Sequence, residues 1–294
     1  GGLRRGGGVQ ENKVEEELTW AINSAGTWRE LEEVAMSGRH LSASQVVTVL
    51  NRLASLKARL DNRQPGLSAF LEAMLEELLR KAEGPMKPRD IAGAVLAMAS
   101  MKLHKTPQWH KLLHEAIERL EELSASDLVA LLRAIAITTR APGKPGNQHG
   151  GKQIQDGLLL RSIGSLLAAK AAPGDGRPGL LPRGAATAVW AFAMLTGPGR
   201  PCDAPPSPEM MHAAVEAAIS QGPAALSTTD CAQLAWGLAK LGHTNSAAFD
   251  IIAEAAVAQA SRLKPGDMSL LCWAFSKVRR RRGRRGGYVI GSVL

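Results

Sequence analysis

The chain has 294 residues, enough for one or two ordinary domains; 45% are hydrophobic, only 4% are aromatic, and Tyr occurs once. The apolar content is mostly Ala and Leu, which favours helices over strands, and no run of about 18 uncharged apolar residues is present to cross a membrane. The net charge of +9 is local: seven of the 36 basic residues fall from Lys277 onward with no acid among them, so the rest balances 29 basic against 27 acidic residues. This excludes a nucleic-acid argument from overall charge and leaves only a local one.

The opening "GGLRRGGGVQ" is basic, Gly-rich and acid-free. Residues 1–13 are expected to form a flexible segment with the composition of a transit-sequence remnant. From residue 14 to residue 278 the chain repeats itself. Six segments share one frame, beginning at Leu41, Met86, Leu123, Leu180, Leu226 and Leu263, with intervals of 45, 37, 57, 46 and 37 residues. Counting the first residue as position one, position five is Asp90, Asp127, Asp230 and Asp267 in four copies. Position two is Ser in three, and position three is Pro88, Pro182 and Pro265. A Ser cap with an acid three residues later can satisfy free N–H groups at a helix start, and Pro tolerates the first turn.

Beyond these starts, apolar residues fall at positions six, nine, ten, thirteen and sixteen, one stripe of a 3.6-residue helix. In the third copy they include Leu128, Leu131, Leu132 and Ile135; in the last they are Met268, Leu271, Cys272, Phe275 and Val278. Position fourteen is Ala in five copies and Ser276 in the sixth, small enough for close helix approach. Position eleven is Trp190, Trp236 and Trp273 in the last three, and Asn51, Leu96 and Arg133 in the first three. The three Trp side chains are expected to fill the seam between adjacent helices, the alternative being a base-stacking platform.

Between the copies lies a second helical stretch, twice opened by a cap-and-Pro pair, Thr106-Pro107 and Ser207-Pro208. Each unit therefore reads as a helical hairpin of about 37 residues, enlarged in places by Gly/Pro-rich insertions such as "TTRAPGKPGNQHGGK". The expected fold is all-α: an α-solenoid of about six stacked hairpins over residues 14–278, followed by an Arg-rich tail at residues 279–294.

Few residues suggest chemistry. His110 and His114 stand four apart, yet no acid lies between them and no third ligand is evident, so no metal is expected. They read as surface residues flanking Leu112 and Leu113. Cys231 and Cys272 fall on the apolar stripe and read as small core residues, while Cys202 lies in the "GPGRPCDAPP" loop. Three widely spaced cysteines form no disulfide framework and fit a reducing compartment. Carboxylates cluster as "VEEEL" and "RLEEL" on solvated faces beside Lys and Arg, and the Gly-rich loops lack phosphate-cradling spacing. No catalytic constellation, cofactor or small-molecule substrate is expected. The local basic features are Arg279, Arg280, Arg281, Arg282, Arg284 and Arg285 in the tail, with Lys240 and Lys277 at position fifteen. These would contact an RNA backbone. Positions eight and fifteen vary between copies, as base selection by modular units would require and as unconstrained exposure would equally allow.

The phrase "LSTTDCAQLAWGLAKLG", with its close relatives around Trp190 and Trp273, resembles the repeat of the octotricopeptide repeat proteins of algal organelles. The first segment, "LTWAINSAGTWRELEEVAMSGRHLSASQVVTVLNRLASL", is similar to the opening module of these proteins and of FAST-kinase-like and RAP-containing relatives, in which a helix pair precedes a "LxRLAxL" helix, here Leu50 to Leu56. The resemblance spans Leu18 to Val278. It implies a non-enzymatic protein of the mitochondrial matrix or chloroplast stroma. Such a protein binds RNA, single-stranded by expectation, in processing, stability or translation, or serves as a scaffold or structural subunit of an organellar ribosome.

Overall fold

The computed structural model describes residues 7–37, 40–56, 66–82, 86–139, 157–174, 179–197 and 206–285, with side chains described between Glu15 and Arg279. The fold is all-α, and among the described residues no β-strand element occurs. The chain divides into two compact units, Gly1–Arg119 and Leu120–Leu294.

In the first unit α1 (Gly7–Ser24), α3 (Ala43–Leu56) and α5 (Pro88–Ser100) form an inner row, α1 packing on α3 and α3 on α5. The short α2 (Trp28–Ala35) packs on α1 and α3, α4 (Leu67–Ala82) on α3, and α6 (Pro107–Glu118) on α5. In the second unit the inner row is α7 (Ala125–Thr138), α9 (Pro182–Leu195), α11 (Thr228–Leu241) and α13 (Pro265–Arg285), each packed on the next. Its outer row is α8 (Gly157–Ala169), α10 (Pro208–Ile219) and α12 (Ser246–Ala258). Within each unit, neighbouring hairpins stack as in an α-solenoid, each leaving its apolar flank for the next to cover. All six repeated segments are inner helices.

The helix starts follow the expected chemistry. Ser124 and Asp127 form a reciprocal capping box on α7, and Ser227 and Asp230 form one on α11. Ser42 and Gln45 make the same exchange at α3. Thr106 and Ser207 accept from Trp109 N and Met210 N at the starts of α6 and α10. The Pro-led helices α5 and α9 have no side-chain cap. There the position-five acid of α5 has another use: Asp90 accepts a 2.6 Å hydrogen bond from Ser44 on the preceding inner helix. Thr229 donates to Asp267 in the same way, at 3.3 Å. The acid thus ties neighbouring inner helices together at their starts.

A second link closes the hairpins. The backbone carbonyl at position one accepts from a side chain at the far end of the following outer helix: Arg119 to Met86, Lys170 to Leu123 and Gln259 to Leu226. Each bond gives a partner to a backbone carbonyl that lies ahead of the helix N-cap, outside the helical ladder.

The core is the apolar stripe. Positions six and ten are fully buried in the first five copies, as in Ile91, Val95, Leu128, Leu132 and Cys231. Each large side chain so buried contributes about 1.5–3 kcal/mol. Position fourteen is buried in α5, α7, α9 and α11. The tightest approach is elsewhere, at position twelve. A Cβ on Gly237 would lie 2.7 Å from Val189 Cγ1 and 3.0 Å from the Val189 backbone. Ala97, Ala134, Ala191 and Ala274 fill the same position and are at most 1% exposed. The outer helices add their own anchors: Trp109 on α6 is buried and its indole N–H donates to Val95 O on α5 at 3.1 Å.

The last inner helix departs from the expected stripe. Leu271, Ala274 and Val278 are buried, but Met268 is 48% exposed and Cys272 is exposed. Cys272 is therefore a surface thiol and not a core residue: among the described residues α13 packs chiefly on α11, and position ten faces away from that contact.

Candidate nucleic-acid interface

Positions four, eight, eleven and fifteen lie on one face of an inner helix, spaced by whole turns. In the second unit this face reads Ser126, Ala130, Arg133 and Ile137 on α7, and Arg183, Thr187, Trp190 and Met194 on α9. It continues as Thr229, Gln233, Trp236 and Lys240 on α11, and Gly266, Leu270, Trp273 and Lys277 on α13. It carries four cations, three indoles and no acid. Thr187 is buried, Trp190 and Trp236 are half-buried, and Trp273 is 42% exposed.

The indoles both pack and present. Trp236 and Trp273 meet across the α11–α13 seam, ring centroids 6.4 Å apart and tilted by 41°. One helical turn on from each, an ammonium lies over the ring: Lys240 Nζ is 4.8 Å from the Trp236 centroid and Lys277 Nζ 5.8 Å from that of Trp273. Such cation–π contacts hold the charge beside an aromatic face that remains partly open. On α7, burial first and then the neighbouring Arg183 pull the Arg133 guanidinium below its ordinary range, while Asp230 opposes them. A guanidinium held in this way remains a cation and gains from an incoming phosphate.

The sequence pattern places Lys240, Lys277 and the Trp residues on these helices, and the structure brings them onto one face. Arg183 was missed, although its position-four register was readable. Trp20 was missed as well. "LTWAINSAG" at Leu18–Gly26 matches "LAWGLAKLG" at Leu234–Gly242, and α1 packs on α3 as an inner helix should. Trp20 occupies position eleven of this additional copy and is 72% exposed. It lines an open groove of about 710 Å³ with Glu15, Glu16, Thr48, Lys87 and Asp90.

Of the tail, Arg279 is exposed on α13, which runs on to Arg285. The side chains of Arg280, Arg281, Arg282, Arg284 and Arg285, like residues 1–6 and Cys202, lie outside the described residues. His110 and His114 share no ligand. His114 pairs with Glu118 at 3.2 Å, whereas His110 packs edge-on to Trp109 at 5.2 Å. Among the described residues no group of three His, Cys, Asp or Glu side chains is placed to hold a metal ion, and no helix is long and apolar enough to cross a membrane. The Cys231 thiol is pushed up to about 11 by burial and by Asp230, which leaves it protonated and unreactive at neutral pH. No protein-family model matches the chain, and no curated protein sequence does either.

Proposed function

We propose that this chain is a non-enzymatic RNA-binding α-solenoid whose second unit holds single-stranded RNA along its inner helices. The observation that carries the reading is the acid-free face running from Arg133 and Arg183 through Trp190 and Trp236 to Trp273 and Lys277. Cations along such a face neutralise phosphates, and partly open indoles offer sequence-tolerant stacking at about 1–3 kcal/mol per base. The Arg residues after Val278 continue the positive charge along α13 to its end at Arg285. The octotricopeptide-like phrasing of the repeats supports an organellar setting and a role in processing, stability or translation of transcripts.

The test is binding of a short single-stranded RNA and of a duplex at about 50 and about 200 mM salt. It compares residues 1–294, a truncation after Arg279, and Lys240→Glu/Lys277→Glu. The truncated chain is expected to keep its preference for the single strand. The double variant is expected to bind more weakly, with a salt slope shallower by about 0.7 for each phosphate no longer neutralised. Loss of all binding on truncation would move recognition to the tail and leave the helices as a protein-binding scaffold. Absence of binding in every form would remove RNA as the ligand of helices and tail alike.

A further inference from the structure

Two inner helices, α1 and α13, each leave a face open, and the two faces are complementary. Within the second unit, the face made by positions three, seven, ten and fourteen of one inner helix is covered by the next. Val189 at position ten of α9 receives Gly237 at position twelve of α11. Ala232, Ala235 and Ala239 of α11 are at most 1% exposed beneath α13. On α13 the same face is open: Pro265, Ser269, Cys272 and Ser276 are all exposed, with Met268 and Trp273 beside them. In the first unit, α1 is the additional inner helix, and its position-twelve residue, Ala21, is only half-covered. Ala21 lines a shallow groove of about 320 Å³ between α1 and α2, with Leu18, Val34, Glu17 and Glu33. Trp20 and Met36 stand exposed nearby.

Charge matches this shape. Glu15, Glu16, Glu17 and Glu33 are exposed on α1 and α2. Lys264, Lys277 and Arg279 are exposed on α13, and five further Arg residues follow by Arg285. The neighbouring α12 adds Asp250 and Glu254 beside the exposed Val257, so the match lies along the inner row.

We infer that a second copy of this chain docks head to tail, its α1–α2 groove seated on the open face of α13, so that the seam between Val189 and Gly237 is repeated between molecules as Cys272 against Ala21. Such a contact is heterologous, one surface meeting a different one, and it extends the stack instead of closing a symmetric pair. The apolar centre supplies the attraction, while the rim charges set register and salt dependence.

The test uses Ala21→Cys in a Cys202→Ser background, with Cys272 native. Under mild oxidation the variant is expected to form a disulfide between Cys272 of one molecule and the introduced thiol of another, identified by peptide mapping. Sedimentation should show mass rising with protein concentration and falling with salt. Met268→Glu, at an exposed site that folding does not need, should weaken association at least tenfold. Glu17→Lys/Glu33→Lys and Lys264→Glu/Arg279→Glu should each weaken it, and their combination in one chain should restore it. A monomer at every concentration, links only between two Cys272 residues, or no recovery in the combined variant would overturn the inference.

Discussion

At position eleven the inner helices of the first unit carry Trp20, Asn51 and Leu96, with Glu15 and Glu16 beside Trp20; those of the second carry Arg133, Trp190, Trp236 and Trp273, with Lys240 and Lys277 beside the indoles. The helices beneath are built alike. Both rows use capped starts, an apolar stripe and small residues at the seam, and both use Asp at position five to reach a hydroxyl on the preceding helix. Stacking therefore constrains the buried positions in both units and leaves the face of positions four, eight, eleven and fifteen open to a different chemistry in each.

The largest difference should appear at two glycines. Gly237→Ala pushes a Cβ into the Val189 backbone and is expected to cost about 2 kcal/mol, whereas Gly93→Ala meets side-chain atoms alone, Val47 Cγ1 at 3.0 Å and Asn51 Nδ2 at 3.6 Å. The gain in helix propensity should offset the second change to within about 0.5 kcal/mol. Urea titration of both variants measures the contrast, and equal losses would show that the α9–α11 seam is no tighter than that of α3–α5.

The open faces should separate next. Trp273→Ala is expected to weaken binding of a single-stranded RNA by about 1 kcal/mol or more, while Trp20→Ala leaves it unchanged. Titration with labelled RNA reads this directly, and a larger loss at Trp20 would reverse the assignment of the two units.

A smaller effect concerns the turns after α5 and α11. Gly242 holds φ +90° and Lys102, at the same position, holds φ +63°. Met98 and Leu238 accept equivalent hydrogen bonds from Leu103 and His243. Lys102→Gly should therefore stabilise the first unit by about 1 kcal/mol, read as a raised urea midpoint.

The smallest effect is a pH dependence. Burial lowers the pKa of His243, and burial with Lys105 and His110 lowers that of His104. A folded state that resists protonation loses stability as pH falls below the ordinary histidine value of about 6.5. The double variant His104→Gln/His243→Gln should flatten that decline, measured by denaturation at neutral and mildly acidic pH.

Much of this was legible in the sequence because helix starts are local. Ser124 with Asp127, Ser227 with Asp230, and the Thr-Pro and Ser-Pro pairs each announce a cap within four residues. The register of the apolar stripe followed from those starts, and with it the common face of Lys240, Lys277 and the Trp residues. What was not legible depends on the neighbour. Position twelve looks as ordinary as position fourteen until Val189 is seen against Gly237. Cys272 fits the stripe of its own helix, and its exposure comes from the open side of α13. The bonds from Arg119, Lys170 and Gln259 to position-one carbonyls span 33 to 47 residues and leave no local signature. Trp20 was the avoidable miss, since its phrase can be aligned by eye.

Ultraviolet crosslinking of the chain to a single-stranded RNA, followed by mass spectrometry of the adducts, bears most directly on the RNA-binding face. Adducts are expected on peptides containing Trp236, Trp273 and Lys277, and should disappear selectively in Lys240→Glu/Lys277→Glu. Adducts confined to residues beyond Arg279, or concentrated around Trp20, would contradict it.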